Sequence, residues 1–231
     1  RGLGTFIDNH HVKIQKSNDE TKTIYAENII IATGSKPRTN PNIDVDEKII
    51  MTSDGVDHMK SFPKSMVIVG AGVIGCEYAT IFSNFGKTKV YLIDRSDRIL
   101  PFEDTDISDM ISKNLKEKGV TIHNKAQLER LEVKDGEVEY ELSYKDGKKE
   151  IIRVEKALLS VGRKLCIEGL KMENAGVTLS KRGVHIGDIN TQTNIPNIYV
   201  VGDASGHISL VNVGELEGRY AVERMFSKKY Y

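Results

Sequence analysis

The chain has 231 residues, of which 39% are hydrophobic and 29% are charged, the balance of an ordinary soluble protein with one large or two modest domains. Lysine plus arginine and aspartate plus glutamate number 33 each, so no basic excess favours nucleic acid or an anionic membrane surface. No apolar run approaches the roughly 20 residues that span a bilayer. Because the sequence starts with RGLGTFIDNH, without Met or signal peptide, we expect a piece of a longer protein, and its two cysteines favour a reducing, cytoplasmic setting.

The first part of the chain is predicted to contain strands and a linker. Residues 4–14 and 23–31 are predicted strands, and the second ends in the apolar run IIIA, which is typical of a strand buried on both faces. Residues 35–64 are polar and contain three prolines. They predict a linker with a short helix near 53–59.

A regular alternation of strands and helices follows. The pattern predicts a strand at 66–70, a helix at 75–85, a strand at 88–93, a helix at about 105–118 and a strand at 120–123. Asp104 or Thr105 caps the second helix, and Gly119 ends it. Alternation of this kind is the signature of parallel βαβ units.

The pattern then changes to short alternating strands. Residues 128–133, 137–144 and 149–155 are joined by two Asp-Gly pairs and predict a three-stranded antiparallel meander. Residues 157–161 are apolar and are expected to return to the parallel sheet, and a strand at 198–201 precedes a helix at about 211–226. The fold class is therefore α/β, with a Rossmann-like domain that combines a parallel sheet, helices and an antiparallel meander.

One glycine-rich turn has the full context of a dinucleotide-binding motif. Gly70, Gly72 and Gly75 form G-x-G-x-x-G between a predicted strand and a predicted helix, and Asp94 ends the next strand. The glycines allow the tight turn, the approach of the backbone to a pyrophosphate and close helix packing, while the helix N-terminus favours negative charge. The residues predicted to contact the dinucleotide here are Gly70, Gly72, Val73, Ile74 and Gly75.

The residues around this turn bear on which nicotinamide nucleotide binds. Asp94 can accept both ribose hydroxyls and would repel a 2′-phosphate, which favours NAD over NADP. Arg95 and Arg98 follow and could pair with that phosphate, although a solvated charged loop is the favoured explanation of both. Glu77 is either an acid stabilised in the first helical turn or a group near the nicotinamide, and chemistry alone leaves both open.

Four motifs in order carry a family likeness: IIIATGSKP, GAGVIGCEYA, SVGR and NIPNIYVVGDASG. Together they resemble the flavoprotein pyridine nucleotide-disulfide oxidoreductases, and most of all the branch of lipoamide dehydrogenase and soluble pyridine nucleotide transhydrogenase. The resemblance covers nearly the whole chain. It implies that the chain belongs to an FAD-dependent oxidoreductase that transfers hydride between NAD(H) and FAD.

The resemblance also implies roles for individual residues. It places Glu77 and the Gly162-Arg163 pair beside the nicotinamide, while Arg95 stays a candidate contact of the dinucleotide from its position after Asp94 alone. It implies that Asp203 binds the ribityl chain of FAD. It also implies that the helix that starts near Val211 has its N-terminus directed at the flavin ring. The residues implied to contact FAD are Thr33, Gly34, Gly202, Asp203, Leu210 and Val211.

The resemblance implies three segments in this chain and shows which parts of a complete family member the sequence does not contain. Residues 1–40 would end the first FAD-domain segment, 41–163 would bind NAD(H), and 164–231 would return to the FAD domain. The first FAD motif, a redox-active Cys-x4-Cys and the C-terminal dimerisation domain are not in this sequence, so we expect no catalytic residue, no metal ligand and no activity of the chain alone. Cys76 is expected to be a packed thiol, and the six scattered histidines, His185 and His207 among them, show no ligand spacing.

Three interpretations of function stay open. In the lipoamide dehydrogenase type, electrons come from a dithiol, the protein is a homodimer and a 2-oxoacid dehydrogenase complex is an expected partner. In the soluble transhydrogenase type, a second nicotinamide nucleotide replaces the dithiol. A non-catalytic dinucleotide-binding module would contain the same glycine turn but would not need Asp203.

Overall fold

The computed structural model of the protein describes residues 1–180, 183–184 and 191–226. The strands in chain order are β1 (Leu3–Phe6), β2 (His11–Gln15), β3 (Thr21–Tyr25), β4 (Ile29–Ile31), β5 (Ser35–Pro37), β6 (Ile50–Met51), β7 (Ser65–Val69), β8 (Lys89–Ile93), β9 (Thr121–His123), β10 (Ala126–Lys134), β11 (Glu137–Tyr144), β12 (Lys149–Val154), β13 (Lys156–Leu159), β14 (Arg163–Leu165), β15 (Leu179–Ser180), β16 (Gly183–Val184) and β17 (Ile198–Val200). The α-helices are α1 (Ser53–Val56), α2 (Val73–Asn84), α3 (Thr105–Glu117) and α4 (Val211–Phe226), and 3₁₀ turns cover Met172–Ala175 and Gly202–Ser205.

The chain forms two compact units. Unit 1 comprises Arg1–Lys36 and Lys164–Tyr231, and unit 2 comprises Pro37–Arg163. Unit 2 is thus a continuous segment inserted between the two parts of unit 1. Among the described residues, no helix combines the length and the apolar character that a membrane crossing needs.

Unit 2 is built on a five-stranded sheet in the order β6-β13-β7-β8-β9, and every neighbouring pair is parallel. The apolar side chains of β7 alternate between two cores. Met66 and Ile68 pack with α2 and α3 on one face, whereas Val67 and Val69 pack with the antiparallel meander β10-β11-β12 on the other. Tyr140 of the meander is fully buried in the second core. The predicted α/β class, with a parallel sheet, helices and a meander, is confirmed.

The two hairpin turns of the meander use their Asp-Gly pairs differently. In the first turn, both Asp135 (φ 53°) and Gly136 (φ 81°) are left-handed, which matches the twist of a two-residue hairpin. In the second, Gly147 (φ 85°) is left-handed, and the Tyr144 N–H donates to Lys148 O across a longer loop. The sequence predicted both turns.

In unit 1, the prediction of one strand in residues 4–14 and one in residues 23–31 was wrong. Each range contains two strands: β1, β2 and β3 form an antiparallel sheet, and β4 pairs in parallel with β17. The first break arises because the Asp8 carboxylate accepts the backbone N–H groups of His10 and His11. Ile30 is 36% exposed, so β4 is not buried on both faces in this unit.

The predicted linker 35–64 also contains more structure than expected. Ile50–Met51 forms β6, which is fully buried and pairs with β13 at the edge of the main sheet. Thr52 then caps the short helix α1, since its side chain accepts the N–H of Asp54. The linker interpretation was therefore wrong for this part, while the short helix was predicted correctly.

Candidate functional site

The glycine turn lies at the point of the unit 2 sheet where the direction of winding changes. From β7 the chain proceeds outward to β8 and β9, whereas β13 lies on the opposite side of β7. In open α/β sheets such a switch point leaves a crevice beyond the carboxyl ends of the strands, and ligands bind there. Gly70 follows β7 directly at this edge.

The three glycines meet different surroundings. Gly70 is left-handed (φ 100°), and a Cβ on Gly75 would lie 1.9 Å from Gly70 O, so neither position accepts a side chain. A Cβ on Gly72, in contrast, would meet nothing within 4 Å. Steric packing inside the protein therefore explains Gly70 and Gly75, while the open side of Gly72 faces the crevice.

Ser160, which has no role in the sequence prediction, braces the turn from the neighbouring strand. Its hydroxyl lies 2.8 Å from Gly70 O and 3.0 Å from Val69 O and donates to this pair of carbonyl oxygens. In the sequence, Ser160 follows the apolar residues of β13 and is the first residue of the SVGR motif, but neither feature predicts this contact.

Helix α2 begins at Val73, with Gly72 as its N-cap. In the part of the chain that the structure describes, no side chain caps this end, and the first turn contains no acidic residue. The N-terminal N–H groups and the helix dipole therefore favour an anion at this end. Because the helix starts two residues before the predicted Gly75, Glu77 lies in its second turn, and the explanation of Glu77 as a first-turn acid is wrong.

The carboxylate of Asp94 is part of the turn. Its Oδ2 accepts the Ala71 N–H at 2.7 Å, and its Oδ1 accepts the Ser96 N–H at 2.8 Å. Each oxygen keeps a further lone pair, so hydroxyl groups of a ligand can still donate to Asp94. The sequence predicted the position of Asp94 but missed its hydrogen bond to the glycine turn.

The turn opens on a cleft of about 830 Å³ that lies entirely within unit 2. Among the residues that line it are Gly70, Gly72, Asp94, Arg95 and Gly162. Arg95 is exposed at the cleft. Arg98 is engaged elsewhere, since its guanidinium donates to Thr105 Oγ1 and Pro101 O.

A second cavity of about 1030 Å³ in unit 2 adjoins the first at Val73 and Ile74. It brings together Glu77 and Arg163, and its other walls come mainly from α2 and α3. Cys76 also borders it but is only 5% exposed, and burial, helped by the charge of Asp94, raises the pKa of its thiol to about 12. The thiol is therefore protonated and packed, as expected.

The predicted flavin contacts fall in unit 1. Strands β4 and β17 lie side by side, and the residues that follow them, Thr33-Gly34 and Gly202-Asp203, come from the same ends of the two strands. The Ser35 hydroxyl donates to Asp203 Oδ2 at 2.5 Å and links the two loops. Sequence reasoning did not assign a role to Ser35.

Other predicted residues of unit 1 lie at its surface. Leu210 and Val211, at the start of α4, are 55% and 92% exposed. His207 is exposed in the preceding loop, and His185 lies outside the described residues. Within the described ranges, no group of three or more histidine, cysteine, aspartate or glutamate residues could hold a metal ion.

Comparisons with curated proteins identify relatives of two kinds. The chain is 36% identical over 230 residues to a soluble pyridine nucleotide transhydrogenase of Marinobacter nauticus, covering 100% of this chain and 48% of that protein. It is 34% identical over 219 residues to a dihydrolipoyl dehydrogenase of Bacillus subtilis, covering 94% of this chain and 46% of that protein. The chain thus spans about half the length of the curated relatives it matches.

Solved structures with a similar fold are also about twice as long as this chain. The Cu(II) complex of the HOCl-induced flavoprotein disulfide reductase RclA from Escherichia coli superposes with a TM-score of 0.87 at 28% identity, covering 98% of this chain and 50% of that one. LpdA from Mycobacterium tuberculosis superposes with a TM-score of 0.88 at 25% identity, covering 100% of this chain and 50% of that one. The family model described as pyridine nucleotide-disulphide oxidoreductase matches residues 2–218. The chain belongs to the pyridine nucleotide-disulphide oxidoreductase family.

Proposed function

We propose that this chain is the NAD(H)-binding portion, with part of the FAD-binding portion, of a flavin-dependent oxidoreductase of the dihydrolipoamide dehydrogenase type. In this proposal, residues 41–163 bind NAD(H), while residues 1–40 and 164–231 contribute to the FAD domain. The whole protein would transfer hydride between the nicotinamide and the flavin. The chain alone would be inactive, because it contains only part of the flavin domain.

The glycine turn carries the proposal. Gly72 presents backbone without a side chain to the cleft, and the uncapped N-terminus of α2 lies beside it. Both features favour a pyrophosphate, whose negative charge the N–H groups and the helix dipole stabilise. A turn that only connected a strand to a helix would need neither the open side of Gly72 nor the adjoining cleft.

The residues of unit 2 fit NAD(H) along its length. In the proposal, Asp94 accepts ribose hydroxyls of the adenosine, Arg95 borders that end, and Glu77 and Arg163 lie at the nicotinamide end. The carboxylate of Asp94 disfavours a 2′-phosphate, so NAD is proposed over NADP. When bound, the dinucleotide would supply a hydride donor or acceptor, and the protein supplies orientation and electrostatics.

The residues of unit 1 fit part of an FAD site. The Gly202-Asp203 turn follows a buried parallel strand, and the Asp203 carboxylate is oriented by Ser35. We propose that Asp203 accepts hydroxyl groups of the flavin side chain. Thr33, Gly34, Leu210 and Val211 would complete this side of the site.

Absorbance spectroscopy of the full-length protein tests the proposal. A flavin-dependent oxidoreductase should be purified with a visible flavin band that NADH bleaches under anaerobic conditions. NADPH at the same concentration should bleach it more slowly. A full-length protein that binds NADH but contains no flavin would refute the enzyme proposal and favour a non-catalytic dinucleotide-binding module.

A soluble transhydrogenase is the second candidate, because a relative with that name is 36% identical over the whole chain. The two enzyme types differ in the second substrate. Reduction of NAD by dihydrolipoamide would favour the first, and reduction of a thio-analogue of NAD by NADPH would favour the second. A redox Cys-x4-Cys in the full-length protein would be required for the first and not for the second.

The partners and location follow from the same proposal. A dihydrolipoamide dehydrogenase type would be a cytoplasmic homodimer that works with a 2-oxoacid dehydrogenase complex. Size-exclusion chromatography of the full-length protein tests the dimer, and co-purification with the complex tests the partner.

A further inference from the structure

Helix α4 is attached to the Gly202–Ser205 turn by a side chain from its second turn. The Glu217 carboxylate accepts the backbone N–H of Gly202, with a distance of 2.6 Å between Oε2 and N. The preceding N–H along the chain, that of Val201, donates to Ile31 O in the neighbouring strand. Glu217 is therefore the acceptor of the first backbone N–H that follows the strand, where the chain leaves the sheet.

The helix also approaches this turn very closely. A Cβ on Gly214 would lie 3.1 Å from Gly202 Cα, a distance at which the backbone of the turn would have to move. Gly202 itself is left-handed (φ 62°), a conformation that disfavours other residues. Gly214 and Glu217, one helical turn apart, thus lie on the face of α4 that contacts the turn.

We propose that Glu217 is a positioning residue for flavin binding that acts through Asp203. The inference rests on the proposed role of Asp203 in the FAD site. Asp203 follows Gly202 directly, so the hydrogen bond from the Gly202 N–H to Glu217 restrains the Val201–Gly202 peptide, which immediately precedes the Gly202–Asp203 peptide that carries the Asp203 Cα. Ser35 restrains the carboxylate of Asp203 itself, at the other end of the same residue. Loss of Glu217 should therefore loosen Asp203 without removing any group that touches the flavin.

The test compares four variants of the full-length protein, of which Gly214→Ala displaces the helix and the other three change one side chain each. Glu217→Ala removes the acceptor, Glu217→Gln keeps an oxygen of similar geometry without the charge, and Glu223→Gln is a matched control at an exposed position of the same helix. The dissociation constant for FAD is measured by flavin fluorescence on the apoprotein, and the visible circular dichroism of bound flavin reports its orientation. The dissociation constant for NADH serves as an internal control, because the proposed NADH site lies in unit 2.

The expected result is specific to FAD. Glu217→Ala should weaken FAD binding by roughly tenfold, because FAD must then also order a turn that the hydrogen bond to Glu217 holds in the wild type, and should change the visible dichroism. Glu217→Gln should recover most of the affinity, Glu223→Gln should match the wild type, and NADH affinity should be unchanged throughout. Gly214→Ala should reproduce the loss of FAD affinity by displacing the helix.

Three results would overturn the inference. Wild-type FAD affinity and dichroism in Glu217→Ala would show that Asp203 does not depend on this contact. A parallel loss of NADH affinity would show that Glu217 serves general stability instead. If the wild-type protein binds no FAD at all, the proposed function fails and the inference with it, whereas the first two results leave the proposed function intact.

Discussion

Replacing Asp94 by alanine should weaken NADH binding through two effects at once. The substitution removes the acceptor of the Ala71 N–H, so the glycine turn keeps only its backbone hydrogen bond from Gly70 N–H to Ile93 O at the end of β8. It also removes the acceptor of the Ser96 N–H in the following loop. In the proposed complex it further removes the group that binds the ribose hydroxyls.

The size of the effect follows from the two hydrogen bonds. Hydrogen bonds to a charged group contribute roughly 1.5–3 kcal/mol each, and the half-buried position of Asp94 places both at or below the lower end of that range. The free energy of unfolding should therefore fall by about 2 kcal/mol. A lost pair of ribose contacts adds an effect of similar size on binding, so NADH affinity should fall by roughly tenfold or more.

Calorimetric titration of NADH and NADPH into wild type, Asp94→Ala and Asp97→Ala separates the two effects. Asp97 is exposed in the same loop and provides the matched control, for which wild-type affinity is expected. If Asp94 contacts the ribose, Asp94→Ala should reduce the preference for NADH over NADPH. If Asp94 only stabilises the turn, Asp94→Ala should reduce the affinities for NADH and NADPH by the same factor. Unchanged NADH affinity in Asp94→Ala would refute the reasoning altogether.

Three further predictions test other parts of unit 2. Gly75→Ala should destabilise the protein by about 3 kcal/mol or more in urea unfolding because its Cβ meets backbone, whereas Gly72→Ala should keep wild-type stability but weaken NADH binding; equal stabilities would contradict the packing argument. Burial lowers the pKa of His123, despite an opposing effect of Glu150, so its contribution to stability is present above the unfolded value of about 6.5 and lost as the pH falls below it. His123→Gln should flatten this part of the stability–pH curve, and an unchanged slope would argue against it. Arg95→Ala should lower NADPH affinity more than NADH affinity if Arg95 pairs with a 2′-phosphate, and equal effects would exclude that pairing.

Local sequence signals were sufficient where the structure depends on neighbouring residues. β7 and β8 are largely apolar runs of five residues, and α3 has a clear cap in Asp104, whose side chain accepts the Asp106 N–H. The Asp-Gly hairpin at Asp135 needs only its own backbone conformation. In these cases the short-range pattern and the final packing agree.

The signals failed where distant contacts decide the structure. β6 has only two residues, Ile50–Met51, and becomes a strand because β13, about a hundred positions later, offers it a parallel partner. The same limit applies to the site. Ser160 lies 90 positions from Gly70, to which it is hydrogen-bonded, and a serine after an apolar strand predicts no such contact. Asp94 was predicted as a ligand contact because its motif is local, but its bond to Ala71 became visible only in the folded chain.

In both units, a carboxylate accepts a backbone N–H at the point where the chain leaves a parallel strand. In each, a left-handed glycine follows a parallel strand within two residues, Gly70 after β7 in unit 2 and Gly202 after β17 in unit 1, and the chain leaves the sheet there with a backbone N–H group that has no strand partner. A carboxylate from a later element then accepts this N–H group: Asp94 accepts that of Ala71, and Glu217 accepts that of Gly202. Because a buried, unpaired N–H is costly, each carboxylate fixes the turn whether or not a ligand is bound. The turns are therefore already in place before binding, and a ligand does not have to order them, which is the condition under which binding energy is best used for affinity and orientation.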